Sequence, residues 1–184
     1  MTDDAAVPSG PKPGDPDYVF PKEVHNLLVL ANTTNITLSG MADTKASILM
    51  GASFVVFSMS IGDLAAGKAT FPLLVLTLFS FVATVFGVLT VRPNKMPDKP
   101  IPIEKANILF FGSYTNAPRA DYIDEVIKVL SSEEETYRRL AGDLYDHGLI
   151  LRNDKFRWLY WSFSAFLIGM LVTAAAVTIE LVFR

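Results

Sequence analysis

Met41–Leu64, MADTKASILMGASFVVFSMSIGDL, decides the fold, because a polar segment carrying Asp43 and Lys45 runs straight into a charge-free stretch. Between Lys45 and Asp63 lie 17 uncharged residues, 46 to 62. At a helical rise of about 1.5 Å per residue they span about 26 Å, slightly short of a hydrocarbon core of about 30 Å. Lys45 closes the difference by snorkelling its ammonium outward. Two further runs match the first: 23 uncharged residues from Ala69 to Val91, and 22 from Trp158 to Ile179. Three such runs exceed what the buried helices of a soluble bundle show, and they predict an all-α integral membrane protein with three transmembrane helices.

The basic residues orient it. Ten of the 16 Lys and Arg residues fall in 93–157, Arg92 sits at the edge of that segment, and the link between the first two spans holds only Lys68. The positive-inside bias predicts a plasma-membrane protein whose N-terminus and residues 92–157 are cytoplasmic, with Arg184 outside. The same ten basic residues meet eleven acidic ones in 93–157, so no basic stripe for a nucleic-acid polymer exists. With no cysteine, disulfides, thiol catalysis and iron–sulfur ligation are excluded.

Taken in order, residues 1–21 are rich in proline and glycine and read as a disordered cytoplasmic tail. Residues 22–64 read as a cytoplasmic helix entering the first span, either unbroken or kinked at Asn32–Asn35, poor helix formers in water. Asn35, Ser39 and Asp43 stack on one face, either a solvated row or the lining of a pore mouth or ligand crevice. Small residues form stripes in each span: Ser47, Gly51, Ser58 and Gly62; Thr77, Ser80, Thr84 and Gly87; Ser162, Ala165, Gly169, Thr173 and Ala176. Helix packing within and between subunits is the simpler account of them, a water-lined path the other. No span carries a charge at its middle, so proton relay, ion-coupled transport and voltage sensing lack a candidate. Glu180 and Arg184 are placed to pair at the outer end of the third span.

Residues 92–157 read as a small module between the second span (69–91) and the third (158–183). It opens on a linker with Pro93, Pro97, Pro100 and Pro102. Phe110 and Phe111 stand in polar surroundings, either as an anchor for the loop or as a stacking surface for a flat ligand. Asp121–Leu130 is predicted as an amphipathic helix with Tyr122, Ile123, Val126, Ile127 and Leu130 inward. Ser132 with Glu135 is a capping box opening a second helix, whose buried face is Tyr137, Leu140 or Ala141, Leu144 and Tyr145, and which can run through Lys155 into the third span.

Catalytic chemistry is thin. His25 and His147 hold no ligand spacing, and Glu133–Glu135 suit a helix first turn without a catalytic role. No phosphate loop, nucleophile elbow or zinc spacing occurs, so no cofactor, no metal and no enzyme activity are expected. Binding is better provided for: Arg119, Arg138, Arg139, Arg152 and Lys155, with Tyr114, Tyr122, Phe110 and Phe111, supply cations and flat rings for a small phosphorylated ligand, although each arginine singly is explained by a surface ion pair.

Several short motifs in order carry a resemblance. They are Asn32, Ala42-Asp43-Thr44-Lys45-Ala46, Arg92-Pro93, Asn107-Ile108-Leu109-Phe110-Phe111-Gly112, Asp143 to Gly148, and Lys155-Phe156, where a tyrosine would be expected in place of Phe156. Over residues 22 to 182 the chain resembles the transmembrane effectors of bacterial Pycsar antiphage systems. That resemblance implies a cyclic pyrimidine nucleotide, cCMP or cUMP, made by a partner pyrimidine nucleotide cyclase during infection, which switches on a protein that impairs the inner membrane. It supplies no ligand residues. On chemistry alone the candidates are Lys45, Arg92 and Lys155 for a phosphate or lipid headgroups, Asn107 for a base edge, and Phe110 and Phe111 for stacking or packing. Asp43 and Gly112 are candidates for a membrane boundary or switch role. The mechanism expected is a homo-oligomer whose spans re-pack when the module binds ligand. The competing reading is a constitutive structural or scaffolding membrane protein. A lipid-modifying enzyme would need a larger polar cluster than Asp43 and Lys45.

Overall fold

The computed structural model describes Asp15, residues 18–93 and residues 102–183, with the backbone alone for Lys105. Most of the N-terminal tail, Pro97 and Pro100 of the linker, and Arg184 with its expected pairing to Glu180 lie outside the described residues. Those described contain helices and turns with no strand. Three of the helices are long and apolar enough to cross a membrane.

Helix α1 covers Lys22–Ala65 without interruption, so the Asn32–Asn35 segment does not break it. Thr33 and Thr44 return their hydroxyls to the carbonyls of Val29 and Gly40, which keeps these residues inside the helix. The helix ends on Gly67 at φ +82°, with the Lys68 amide donating to the Asp63 carbonyl and the Gly67 amide to the Leu64 carbonyl. These two bonds form a Schellman cap, and the left-handed residue in it favours glycine. Helix α2, Phe71–Val91, starts with Pro72 in its first turn and ends where Pro93 forces Arg92 to ψ 133°.

The described parts of 34–94 and 147–184 form one compact unit, a bundle of α1, α2 and α6 (Arg157–Val182). Its interior is small and hydroxylic: Ser53, Ser80, Thr90 and Ser162 are the largest of its fully buried side chains, while Phe54, Met59, Leu167 and Leu171 face outward. Lipid solvates large apolar groups as well as protein does, so close backbone approach, not apolar burial, decides which residues turn inward. Ser162 Oγ donates to the Ala83 carbonyl at 2.8 Å, and the hydroxyls of Ser53 and Thr84 meet at 2.9 Å. A Cβ at Gly169 would stand 2.3 Å from Phe79 Cβ, and one at Gly87 would stand 3.0 Å from Met50 Cβ. The second and third small-residue stripes are thus used for packing inside this unit. The first is not: Ser47, Gly51, Ser58 and Gly62 are exposed, and the buried line of α1 is Ala42, Ala46, Leu49, Ser53 and Ser60.

The described parts of 1–33 and 95–146 form the second unit. It holds a 3₁₀ turn at Ile103–Lys105, a short α3 at Phe111–Tyr114, α4 at Arg119–Leu130 and the first part of α5, Glu133–Ile150. The Glu135 amide donates to Ser132 Oγ at 3.3 Å, half of the expected capping box. The other half is absent because the Glu135 carboxylate pairs with Arg139 instead. Tyr18 and Phe20, assigned from sequence to the tail, form an aromatic chain onto Tyr137, with ring centroids 4.9 and 4.8 Å apart.

Two inward faces differ from expectation. In α4, Tyr122, Ile123 and Val126 are half-buried, but Ile127 and Leu130 are exposed, and Glu125 and Val129 are buried in their stead. In α5, Tyr137, Leu140 and Leu144 are half-buried, Tyr145 is exposed, and Asp143 is buried. Each buried carboxylate has found a partner on a neighbouring element, which rotates its helix from the purely apolar setting. Helix α5 continues through a π-helical turn at Leu151–Phe156 into α6, giving one helical rod from Glu133 to Val182.

Replacing Gly169 by leucine overpacks α6 against Phe79 and is expected to destabilise the bundle by about 1–3 kcal/mol. Thermal unfolding in detergent checks this, with Ala175→Leu, exposed on the same helix, as the control that leaves the midpoint in place.

Candidate functional site

In the second unit, the segment Asn107–Tyr114 is shaped by one side chain. Asn107 Oδ1 accepts from the amides of Leu109 at 2.9 Å and Phe110 at 3.3 Å, an Asx turn that reverses the chain. Its Nδ2 donates to Asp143 Oδ1 at 2.9 Å, and its backbone amide donates to Ser113 Oγ at 3.1 Å. The half-buried Phe110 ring lies over Gly112, where a Cβ would come within 2.6 Å of Phe110 Cε1. Phe111 leaves its ring in the open, 55% exposed. Nearby, Tyr114 and Tyr122 stack at 4.6 Å between centroids, and Tyr122 donates its hydroxyl hydrogen to the Ile108 carbonyl. Asn107, Phe110, Phe111 and Gly112 are therefore brought together in one loop.

Arg139 ties that loop to the helices. Its guanidinium pairs with Glu125 Oε1 at 2.9 Å and Glu135 Oε1 at 3.0 Å, and it also donates to the carbonyls of Glu104 and Ala106. Glu125 is only 5% exposed and takes a second cation, Lys128, at 3.1 Å. A buried carboxylate is tolerable only when charge and hydrogen bonds replace its water, and the rigid fork of arginine supplies both. Arg138, by contrast, is a surface residue, and its hydrogen bond to Glu134 raises the guanidinium further above its ordinary pKa. Sequence reasoning placed Arg139 among the ligand cations and overlooked Glu125, Asp143 and Ser113. The available signal was Glu125 itself, three residues after Tyr122 and four before Val129.

At the polar end of the bundle, Lys155 Nζ reaches Asp43 Oδ2 at 2.6 Å, joining the π-helical turn to α1. The other carboxylate oxygen, Asp43 Oδ1, is buried and has no hydrogen-bond partner among the described residues. Directly below lie Ala42, Ala46 and Leu159, with Val91 packed against them. Lys45 and Arg92 are exposed and form no ion pair among the described residues. Arg157 stacks over the Trp158 ring at 4.9 Å, a pairing suited to the headgroup layer. Among the described residues, no cluster of His, Asp or Glu is arranged to hold a metal ion.

Three lipid-compatible helices, with a polar helical unit built on continuations of two of them, define a small multi-span membrane protein. The comparison with protein families is specific: the Pycsar effector protein domain, PycTM, matches residues 26–182. The chain belongs to this family, which makes it a membrane effector of antiphage defence in a cyclic-nucleotide signalling setting with a cyclase partner. Neither the curated proteins nor the solved structures give a match.

Arg139→Met strands Glu125 in the interior and is expected to destabilise the residue 102–146 unit by about 2–4 kcal/mol. The double variant Glu125→Leu with Arg139→Met recovers part of that loss. Hydrogen exchange over α4 and α5 in the full-length protein measures both.

Proposed function

We propose that this protein is switched on by a cyclic pyrimidine mononucleotide, cCMP or cUMP, and then impairs the inner membrane without catalysing a reaction. The observation that carries the reading, beyond family membership, is helical continuity. Two of the three spans, α1 and the rod from α5 to α6, extend with no flexible joint into residues of the polar unit. A ligand that favours a second arrangement of that unit can act on the spans through rods, whereas a loose tether would absorb the change.

The chemistry available to such a ligand is specific. Phe111 offers an open ring for a pyrimidine, and Lys45 and Arg92, with no ion pair among the described residues, offer cations for a phosphate or for lipid headgroups. Asn107, Phe110 and Gly112 set the loop that presents Phe111, and Asn107 reaches a base edge only by giving up bonds it now makes. Lys155 and Asp43 form the switch. The positive-inside distribution supports a cytoplasmic setting for the N-terminus and residues 92–157, where a nucleotide messenger is found. The unused small-residue face of α1, Ser47, Gly51, Ser58 and Gly62, is consistent with a homo-oligomer whose contacts re-pack on activation.

Dye-loaded liposomes carrying the full-length protein should release their contents on addition of cUMP or cCMP, and not with cAMP or cGMP. Silence with all four ends the ligand-gated reading and favours a constitutive scaffold. In the responding case, Phe111→Ala should weaken nucleotide binding by about tenfold in calorimetry. Protease added to right-side-out cells should leave residues 92–157 uncut.

A further inference from the structure

The chain from α5 to α6 is helical throughout, yet Leu151–Phe156 is wound as a π-helix. Such turns are rare, because they hold an extra residue and give up good packing of the helix axis, and something must hold them open. Nothing in Leu-Arg-Asn-Asp-Lys-Phe favours this winding, and Arg152, Asn153 and Asp154 are exposed. What grips the turn is at its edges and at one point inside. Leu151 and Leu159 are both buried at 6% exposure, and between them Lys155 pairs with Asp43 on α1 at 2.6 Å. Leu151, Lys155 and Leu159 follow at intervals of four. Residues four apart share a helix face, so the two apolar anchors and the ammonium lie along one side of the helix.

We propose that Leu151–Phe156 is a one-residue ratchet between the polar unit and the third span, latched by the Asp43–Lys155 ion pair. When the pair opens, the turn relaxes to α-helical winding. Residues before Leu151 then turn by about 100° and move by about 1.5 Å along the axis relative to those after Phe156, the displacement of one residue. That step is discrete, so the rod has two settings and nothing between, as a switch requires. Asp43 is suited to the latch because one of its oxygens is committed to Lys155 and the other is buried with no donor. Lys155 is the one cation paired with this half-exposed carboxylate among the described residues, so losing it removes the contact that ties α1 to the turn. The proposal rests on the reading of the protein as a ligand-switched effector, for which it supplies the moving part.

The test uses the full-length protein in dye-loaded liposomes. Because the chain has no cysteine, spin labels at Tyr145→Cys and Phe163→Cys, two exposed positions flanking the turn, attach without background. Lys155→Met should leak without nucleotide about three- to tenfold faster than the parent, the range expected for one partly exposed ion pair, and should shift the label distance. The exchange Asp43→Lys with Lys155→Asp rebuilds the pair with its ends reversed, and should return both readouts toward the parent. If Lys155→Met changes neither leak nor distance, or if the exchange variant behaves like the single variant, the latch is overturned. If Lys155→Met and the exchange variant behave as expected while no cyclic nucleotide opens the parent, the latch stands and the ligand assignment falls.

Discussion

Hydrocarbon offers no hydrogen bonds, and that one property of the solvent organises this molecule. A chain crossing it must satisfy every backbone group internally, which leaves helices as the economical form for three isolated spans. The demand reaches side chains as well. Thr77, Thr84, Thr90 and Thr178 each donate to the carbonyl four residues back, so hydroxyls that would be unsatisfied in lipid are absorbed by their own helix. Ser162 and the Ser53–Thr84 pair use hydroxyls between helices, at the places where small residues bring backbones together. Hydrogen bonds of this kind contribute on the order of 0.6 kcal/mol each, so the bundle is held largely by close packing.

The same constraint drives strong electrostatics out of the spans and concentrates them where water returns. Asp43–Lys155 sits directly against the apolar group Ala42, Ala46 and Leu159, and the Arg139 cluster lies in the polar unit. The two arrangements do different work. Glu125 and Arg139 have backup, with Lys128, Glu135 and two backbone carbonyls sharing the charge, so no single contact holds the network together. Asp43 has one partner and an idle oxygen. A redundant network resists change, whereas a single contact is the one that a modest free-energy difference can break.

Legibility followed the strength of the physical signal. The three long apolar helices were readable because a charge-free run has few alternatives in a sequence with charges on either side, and Ser132 marked the start of α5 correctly. The inward faces of α4 and α5 were misjudged at Ile127, Leu130 and Tyr145, since hydrophobic periodicity assumes that carboxylates face water. Glu125 and Asp143 violate that assumption through partners 14 and 36 residues away, Arg139 and Asn107, which a local pattern cannot see. The first-span stripe stays exposed in the single chain, as smallness marks a surface fit for close approach without saying which neighbour takes it. The π-helical turn had no signal in composition at all. It exists through long-range contacts, the nearest to chemistry being 112 residues apart in sequence.

A small ligand can move an equilibrium only by the difference between its affinities for the two states. For a protein of this size, that difference must be spent on a step with a low threshold. Tilting whole helices through lipid would disturb the Gly169–Phe79 and Gly87–Met50 contacts, where the packing leaves no slack. Rewinding one turn breaks a single ion pair and leaves those contacts to follow. Under the proposed latch, the redundant Arg139 network keeps its own helices in place, and the contact that yields is the single ion pair between α1 and the turn before α6.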